Sequence, residues 1–364
     1  MTDLVVVGGG IVGASSCYYA NQIGARCTLI ERDGIASHAS GFAFGGLHPR
    51  VVATNESEMQ RFAAESFEEH RRLHEELEYV YGVQSSWRRR SSISLAWNEL
   101  DVHQFKAQRA KDSSTSEWLD AHDLNNLEPR ISTAALGGLM TNESAEVDSA
   151  ILTESLVSVA SPEIFLDEVV DIELAQDRID GVRIRRGEMI EGDAFVFAMG
   201  PWSDLVFNWF EMNCSVKPLK GQILRLHIEG PAFQHSFSTE GNYMSTKPDG
   251  LLWIGTTEEE AKFNEAPTDE GRRKIMGVLQ RMVPGSRRVD VVKQTACFRP
   301  ISPDGELILG CVPGINNAFV GTGGGRKGIL YGPLMGKYLA NIALATDSLE
   351  RWSSFAPDRF SENT

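Results

Sequence analysis

The chain has 364 residues, 42% of them hydrophobic and 23% charged, and a formal net charge of −15. This is a globular composition, long enough for two domains or one elaborated α/β domain. The acidity argues against nucleic acid or an anionic membrane as the main partner, yet permits a small anionic substrate in a locally basic site. Five scattered cysteines (Cys17, Cys27, Cys214, Cys297, Cys311) without CxxC spacing speak against a disulfide framework or a metal site and for a reducing compartment. Residues 1–7 lead into a glycine cluster with no basic, apolar leader, and no run of about 18 apolar residues occurs. A cytoplasmic chain without an integral membrane segment is therefore expected.

Leu4 to Val7 is an apolar, strand-like run that ends on Gly8-Gly9-Gly10. Ile11 to Ile23 has helical character and Arg26 to Glu31 reads as a second strand, giving a β-α-β unit within about 30 residues. Ser57 to Tyr81 is charged, with apolar residues at helical spacing, and predicts a long helix. Residues 87–140 mix short strand-like runs with one helical stretch. Ile164 to Val170, Ile179 to Arg185 and Ala194 to Ala198 read as strands, as do Gln222 to Ile228 and Leu251 to Thr256. Asp269 to Met282 is an amphipathic helix, and Gly328 to Ala345 a largely apolar one that follows a glycine cluster. Segments of one character recur at the beginning, middle and end, which predicts two interleaved domains.

Gly8-Gly9-Gly10-Ile11-Val12-Gly13 matches GxGxxG. Gly8 permits the tight strand-to-helix turn, Gly10 lets backbone approach a pyrophosphate, and Gly13 allows close helix–strand packing. The helix N-terminus offers N–H groups and a positive dipole end to phosphates. Glu31, at the end of the next strand, is placed to accept hydrogen bonds from a ribose and would repel the 2′-phosphate of NADP. The motif alone does not separate FAD from NAD.

Further blocks carry a resemblance. They are the small-residue run Ser37 to Leu47, Glu146-Val147-Asp148, Phe197 to Ser203, Pro218 to Gln222, Phe298-Arg299-Pro300-Ile301-Ser302-Pro303-Asp304-Gly305, Gly321 to Pro333, and the ending Phe355 to Phe360. In this order they resemble the D-amino-acid oxidase superfamily of FAD enzymes, in its glycine oxidase and sarcosine oxidase branch. The resemblance covers nearly the whole chain. It implies FAD, and an α/β fold in which a Rossmann-type FAD-binding domain (1–85, 143–215, 295–364) is interleaved with an antiparallel-sheet α+β substrate domain (86–142, 216–294). It implies cofactor contacts from Gly8, Gly10, Ile11, Val12, Gly13, Glu31 and Arg32. The run beneath the flavin adds Ser40, Gly41, Gly45, Gly46 and Leu47, and later blocks add Val169, Val170, Ala198, Gly200 and Trp202. Gly324, Gly325, Arg326, Lys327, Gly328 and Ile329 would hold the flavin's pyrimidine end.

Flavin amine oxidation asks the protein to bind and orient more than to supply a catalytic triad. The resemblance gives Arg299 the substrate carboxylate, which a guanidinium grips bidentately; a structural salt bridge is the competing reading. Arg326 would touch the substrate or only cap its loop, and Tyr243 would place a hydroxyl over the substrate or serve as a core tyrosine. His48 reads as a capping or surface residue, and Met199 as core. The family often has histidine in the loop where this chain has Gly323 to Gly325. Cys297 aligns with a cysteine that tethers flavin in monomeric sarcosine oxidases, but its neighbours look more like the non-covalent glycine oxidase pattern. Those oxidases activate oxygen with a lysine that aligns near Trp253. The implied activity is oxidation of the C–N bond of a small amino acid or N-substituted amino acid (glycine, sarcosine, a D-amino acid or an opine-like amine) by hydride transfer to flavin, giving an imine that hydrolyses. Oxygen or another redox carrier would accept the electrons. An FAD-dependent C–O dehydrogenase acting on a 2-hydroxy acid, or a flavoprotein subunit that needs a partner, is the alternative. Whether the chain is a homo-oligomer or pairs with another subunit stays open.

Overall fold

In a computed structural model the protein is described over residues 3–49, 57–111, 114–286 and 288–360. The chain forms two compact units, each from non-contiguous segments. The first comprises Met1–Trp87, Val147–Leu219 and Phe298–Thr364, and the second Arg88–Glu146 and Lys220–Cys297.

The first unit is built on a six-stranded sheet of β1 (Asp3–Val7), β2 (Arg26–Glu31), β3 (Glu163–Leu166), β4 (Ala194–Phe197), β5 (Ile308–Cys311) and β6 (Ala318–Thr322), in the order β5-β6-β4-β1-β2-β3. All neighbours are parallel except β5 and β6. Strands covered on both faces read as apolar runs, and Leu4, Val5, Val6 and Phe195, Val196, Phe197 are all fully buried, as a parallel sheet requires. Helix α1 (Ile11–Gln22) starts directly after β1. A Cβ at residue 13 would stand 1.9 Å from the Gly8 carbonyl oxygen, so only glycine lets the helix lie this close to the turn. Against α1 packs the C-terminal helix α4 (Gly328–Ala343), where a Cβ at residue 336 would meet the Ser15 Cβ at 2.4 Å. Between them in sequence come α2 (Glu58–Tyr79) and α3 (Ser149–Ala160). Ser57 and Gln60 form a reciprocal capping box on α2, and the Asp148 carboxylate accepts from Ala150 and Ile151 at the start of α3.

The expected single strand from Ile164 to Val170 is two strands in different sheets. β3 pairs with β2, whereas Val169–Ala175 belongs to a three-stranded antiparallel sheet with Arg178–Ile184 and Met189–Glu191. Asp167 turns the chain between them. Its N–H bonds the Glu31 carbonyl, while its carboxylate accepts from the N–H of Glu168 and from Arg186. A continuous β-rich run carries no mark of where it changes partners: β3 pairs with β2, far away in sequence, whereas Val169–Ala175 pairs with the strand that follows it.

In the second unit Arg88–Arg89 pairs antiparallel with Ala145–Glu146. The larger sheet has eight strands in the order 289–301, 217–228, 252–255, 242–246, 236–239, 92–96, 137–141 and 116–120. Ser236 to Ser238 run parallel to Ser92 to Ser94, while 217–228 with 252–255, 252–255 with 242–246, 242–246 with 236–239, 92–96 with 137–141 and 137–141 with 116–120 pair antiparallel. Helix Asp269–Met282, capped by Thr268, buries Ile275, Leu279 and Met282 in a core with Leu224, Phe237 and Ile254.

Candidate functional site

The carboxyl ends of β1, β2 and β4 open onto a cleft with about 720 Å³ of empty space, counting the part open to solvent. This is where ligands sit in open α/β sheets. Gly8, Gly10, Glu31, Arg32, Ser40, Val169, Ala198, Gly200 and Trp202 all line it, so the cleft gathers nine of the residues named from sequence.

Its fit to a dinucleotide can be tested residue by residue. Gly8 holds φ +110°, and a Cβ there would strike the Ala198 carbonyl oxygen at 2.3 Å. At Gly10 a Cβ would meet only the Ser40 Oγ, at 3.1 Å, so the backbone here faces open space as a close phosphate contact needs. Ser40 Oγ accepts from the first helical N–H, that of Ile11, at 2.9 Å. Glu31 is held against the cleft wall by two backbone donors, Gly9 N–H at 2.6 Å to one oxygen and Asp33 N–H at 2.8 Å to the other. Each carboxylate oxygen has further lone pairs for ribose hydroxyls. The Arg32 guanidinium lies 4.6 Å over the Trp202 ring and the His38 ring 4.7 Å from it. Asp33 joins these two partners, at 2.7 Å to His38 and 2.8 Å to Arg32, and His38 first, then Arg32, holds its carboxyl below the usual range. The residues present fit FAD's adenosine and pyrophosphate.

The cleft also takes residues that sequence reasoning did not assign, including Ser37, His38, Asp167, Glu168 and Leu205. Ser37 and His38 open the small-residue run Ser37 to Leu47, but polarity alone does not tell which side of a loop faces a ligand. Val170 follows Val169 where the strand's register shifts, and it is exposed whereas Val169 is buried.

Other residues named from sequence lie outside this cleft's lining. Gly45 (φ +74°) sits where a Cβ would strike the Val147 carbonyl at 2.0 Å; beside it are Gly41, partly exposed Gly46 and buried Leu47. Val12 and Gly13 belong to the first turn of α1. Gly324 precedes a short 3-10 turn, Gly325–Lys327, that runs into α4 at Gly328 and Ile329. Lys327 reaches the His48 carbonyl at 3.4 Å, and burial pushes its ammonium below the ordinary range. Arg326 is exposed and Arg299 half-buried, near the end of strand Val289–Ile301, which also carries half-buried Cys297. In the second unit Tyr243 is half-buried on strand Asn242–Thr246. Trp253 is 5% exposed there, its indole N–H on Asp249 and the Arg225 guanidinium 3.8 Å over its ring.

The second unit buries a charge cluster that the sequence reading missed. Glu146, 3% exposed, takes Lys247 Nζ at 2.8 Å and Ser245 Oγ at 3.0 Å on one oxygen, and Arg88 and Arg90 on the other. Burial would raise the Glu146 carboxyl, but Lys247 and then the arginines outweigh it and bring it below its ordinary value; burial lowers the Lys247 ammonium. The available signal was the run Arg88-Arg89-Arg90, with no acidic neighbour in sequence. Exposed Asp120, His122 and Asp123 bring possible ligand atoms within 4.8 Å of one another, but Asp120 is already the cap of helix Ala121–Leu127, accepting from both neighbours at 2.9 Å. Among the described residues no helix is long and apolar enough to cross a membrane.

A doubly covered parallel sheet with a glycine turn, a helix N-terminus and the Glu31 carboxylate lining the cleft is the arrangement of a dinucleotide-binding protein. Residues 3–342 match the model of the FAD dependent oxidoreductase family, DAO, and the chain belongs to that family, whose cofactor is FAD. It is 25% identical to glycine oxidase of Bacillus licheniformis, over 96% of this chain and 95% of that one. Its fold superposes on glycine oxidase of Geobacillus kaustophilus with a TM-score of 0.91, at 23% identity and covering 99% of both chains. With iminodiacetate oxidase of Chelativorans sp. the TM-score is 0.88, at 24% identity, over 97% of this chain and 99% of that one. The expected family, fold and cofactor are thus borne out.

Proposed function

We propose that this FAD-dependent oxidoreductase oxidises the C–N bond of a small amino acid or N-substituted amino acid. Bound FAD supplies the acceptor for the two electrons that leave the substrate Cα as hydride. The substrate also gives up an N–H proton to solvent and departs as an imine, whose hydrolysis gives an oxo acid and ammonia or an amine. The residues of the cleft hold the adenosine end: Glu31 takes the ribose, and the Gly8 to Gly13 turn takes the pyrophosphate. Arg299 pairs with the substrate carboxylate and fixes which Cα hydrogen is presented, Tyr243 supplies a phenol hydroxyl to the bound substrate, and Arg326 serves the loop before α4.

The observation that carries this reading is Arg299 itself. It is a half-buried guanidinium in the block Phe298 to Gly305, where the oxidases that the chain resembles bind the carboxylate. The glycine oxidase and iminodiacetate oxidase similarities point the same way, toward carboxylated amines. Anaerobic titration of the holoenzyme with glycine, sarcosine, iminodiacetate, D-amino acids and matched 2-hydroxy acids tests it. Bleaching of the flavin by an amine of this set is the expected result. Bleaching by hydroxy acids alone would replace the C–N assignment with C–O dehydrogenation. No bleaching by any of them would point to a flavoprotein subunit that needs its partner.

A further inference from the structure

Pro333 lies in the second turn of α4. Proline has no N–H, so the carbonyl four residues earlier, that of Ile329, lacks its α-helical donor. An unmatched carbonyl in a buried first turn is costly, and Ile329 is 9% exposed. The missing donor comes from α2: His70 Nε2 stands 2.8 Å from the Ile329 oxygen, 259 residues away in sequence. A carbonyl only accepts, so Nε2 carries the hydrogen. His70 is 2% exposed, and its burial pushes the imidazole down to about 4, which keeps the ring neutral around pH 7. The turn held in this way directly follows the Gly323 to Gly328 loop. That loop is built for close approach: Gly323 has φ +78° and a Cβ there would meet the Glu306 carbonyl oxygen at 2.8 Å, and one on Gly324 would meet the Gly328 Cα at 2.8 Å.

We propose that His70 is a positioning residue for the cofactor: it replaces the donor that Pro333 removes and so holds the first turn of α4, and the glycine loop before it, in the shape that receives the pyrimidine end of FAD. This rests on the reading of that loop as the cofactor's cradle. Neither residue need touch the flavin; the effect travels through the orientation of the N–H groups at the start of α4, whose positive end favours electron density on the flavin.

A double-mutant cycle tests the proposal, because Pro333→Ala returns an N–H to the helix and makes His70 redundant. The readouts are the affinity of the holoenzyme's flavin for sulfite, which reports the field around the ring, and the Kd for FAD on reconstitution. His70→Leu is expected to weaken both by about tenfold, the usual scale for an unmatched buried carbonyl. His70→Gln, which keeps a donor at the same reach, retains wild-type values. His70→Leu in the Pro333→Ala background recovers most of the loss. Wild-type sulfite affinity in His70→Leu, or equal losses in both backgrounds, overturns the proposal. So does a coupling seen in Tm alone, which would make His70 a strut without influence on the flavin. If His70→Leu does not purify, His70→Gln decides: wild-type affinity supports the role, a tenfold loss overturns it. Gly323→Ala separates this outcome from failure of the cradle reading. If it leaves FAD and sulfite binding unchanged, the loop does not hold the cofactor; if it weakens them while His70→Leu does not, only the role of His70 falls.

Discussion

At the scale of single residues, two glycines of one motif carry different loads and can be told apart. A Cβ on Gly13 meets backbone oxygen at 1.9 Å, whereas one on Gly10 meets only the Ser40 hydroxyl at 3.1 Å. Gly13→Ala should lower stability by roughly 1–3 kcal/mol through overpacking, visible as a reduced Tm of the apoprotein. Gly10→Ala should leave that Tm near wild type and weaken FAD binding instead, because the added methyl occupies the pyrophosphate's approach. Equal effects on Tm would sink the distinction. Arg299 makes the second prediction. Removing the partner of a desolvated carboxylate costs about 2–5 kcal/mol, so Arg299→Ala should lower kcat/KM by roughly 30-fold to several thousandfold. FAD content should stay unchanged. Arg299→Lys should recover only part, since an ammonium keeps the charge and loses the fork. Near-normal kcat/KM in Arg299→Ala would remove this residue from the carboxylate's binding.

At the scale of elements, the Glu146 cluster ties Arg88–Arg89, Ala145–Glu146 and Asn242–Thr246 together through one carboxylate. Three cations share it, so its loss leaves like charges buried against one another. Glu146→Gln should destabilise the protein by about 3–5 kcal/mol, measured by urea unfolding at pH 7. The pH dependence has a definite sign. The Glu146 carboxyl titrates below its ordinary value of 4.5 in the folded state, so its contribution is complete above about that pH and is lost as pH falls through the lower, folded value. The gap between wild type and Glu146→Gln should therefore narrow on acidification below pH 4.5. A gap that stays constant to pH 3 would show that the carboxylate's charge is not what holds these strands.

At the scale of the whole molecule, the chain crosses between its two units at Trp87, Glu146, Leu219 and Cys297. The FAD family assignment covers both units, so the purified protein should be yellow with one FAD chromophore. Acid precipitation should leave the flavin in the supernatant, because the residues around Cys297 resemble the non-covalent oxidases; a yellow pellet would show a thioether at this cysteine. The acceptor is also open to measurement. The resemblance aligns the lysine that sarcosine oxidases use for oxygen near Trp253, which is buried here, so dye reduction should outpace peroxide formation. Fast, saturating oxygen consumption would reverse that expectation.

What the sequence determined by itself was local. The Gly8 to Gly13 turn, the helix after it and Glu31 at the end of β2 are legible because strand, turn and helix each carry their own periodicity and turn residues within about 30 positions. The long helix from Ser57 and the apolar C-terminal helix are legible for the same reason. The family resemblance added blocks in order and a set of expected cofactor contacts, but no contacts within the chain. Tertiary structure alone decided the rest. It split the run after Glu163 between two sheets, turned Val170 outward and Val169 inward, set Arg32 and His38 against Trp202, and gathered Arg88, Glu146 and Lys247 around one buried charge. Apart from the hairpin that takes up Val169–Ala175, the partners are separated by tens to hundreds of residues, and their interaction exists only once desolvation and packing bring them together. His70 is the plainest instance: nothing in its neighbourhood on α2 announces that its proton belongs to a helix whose own donor was removed by a proline.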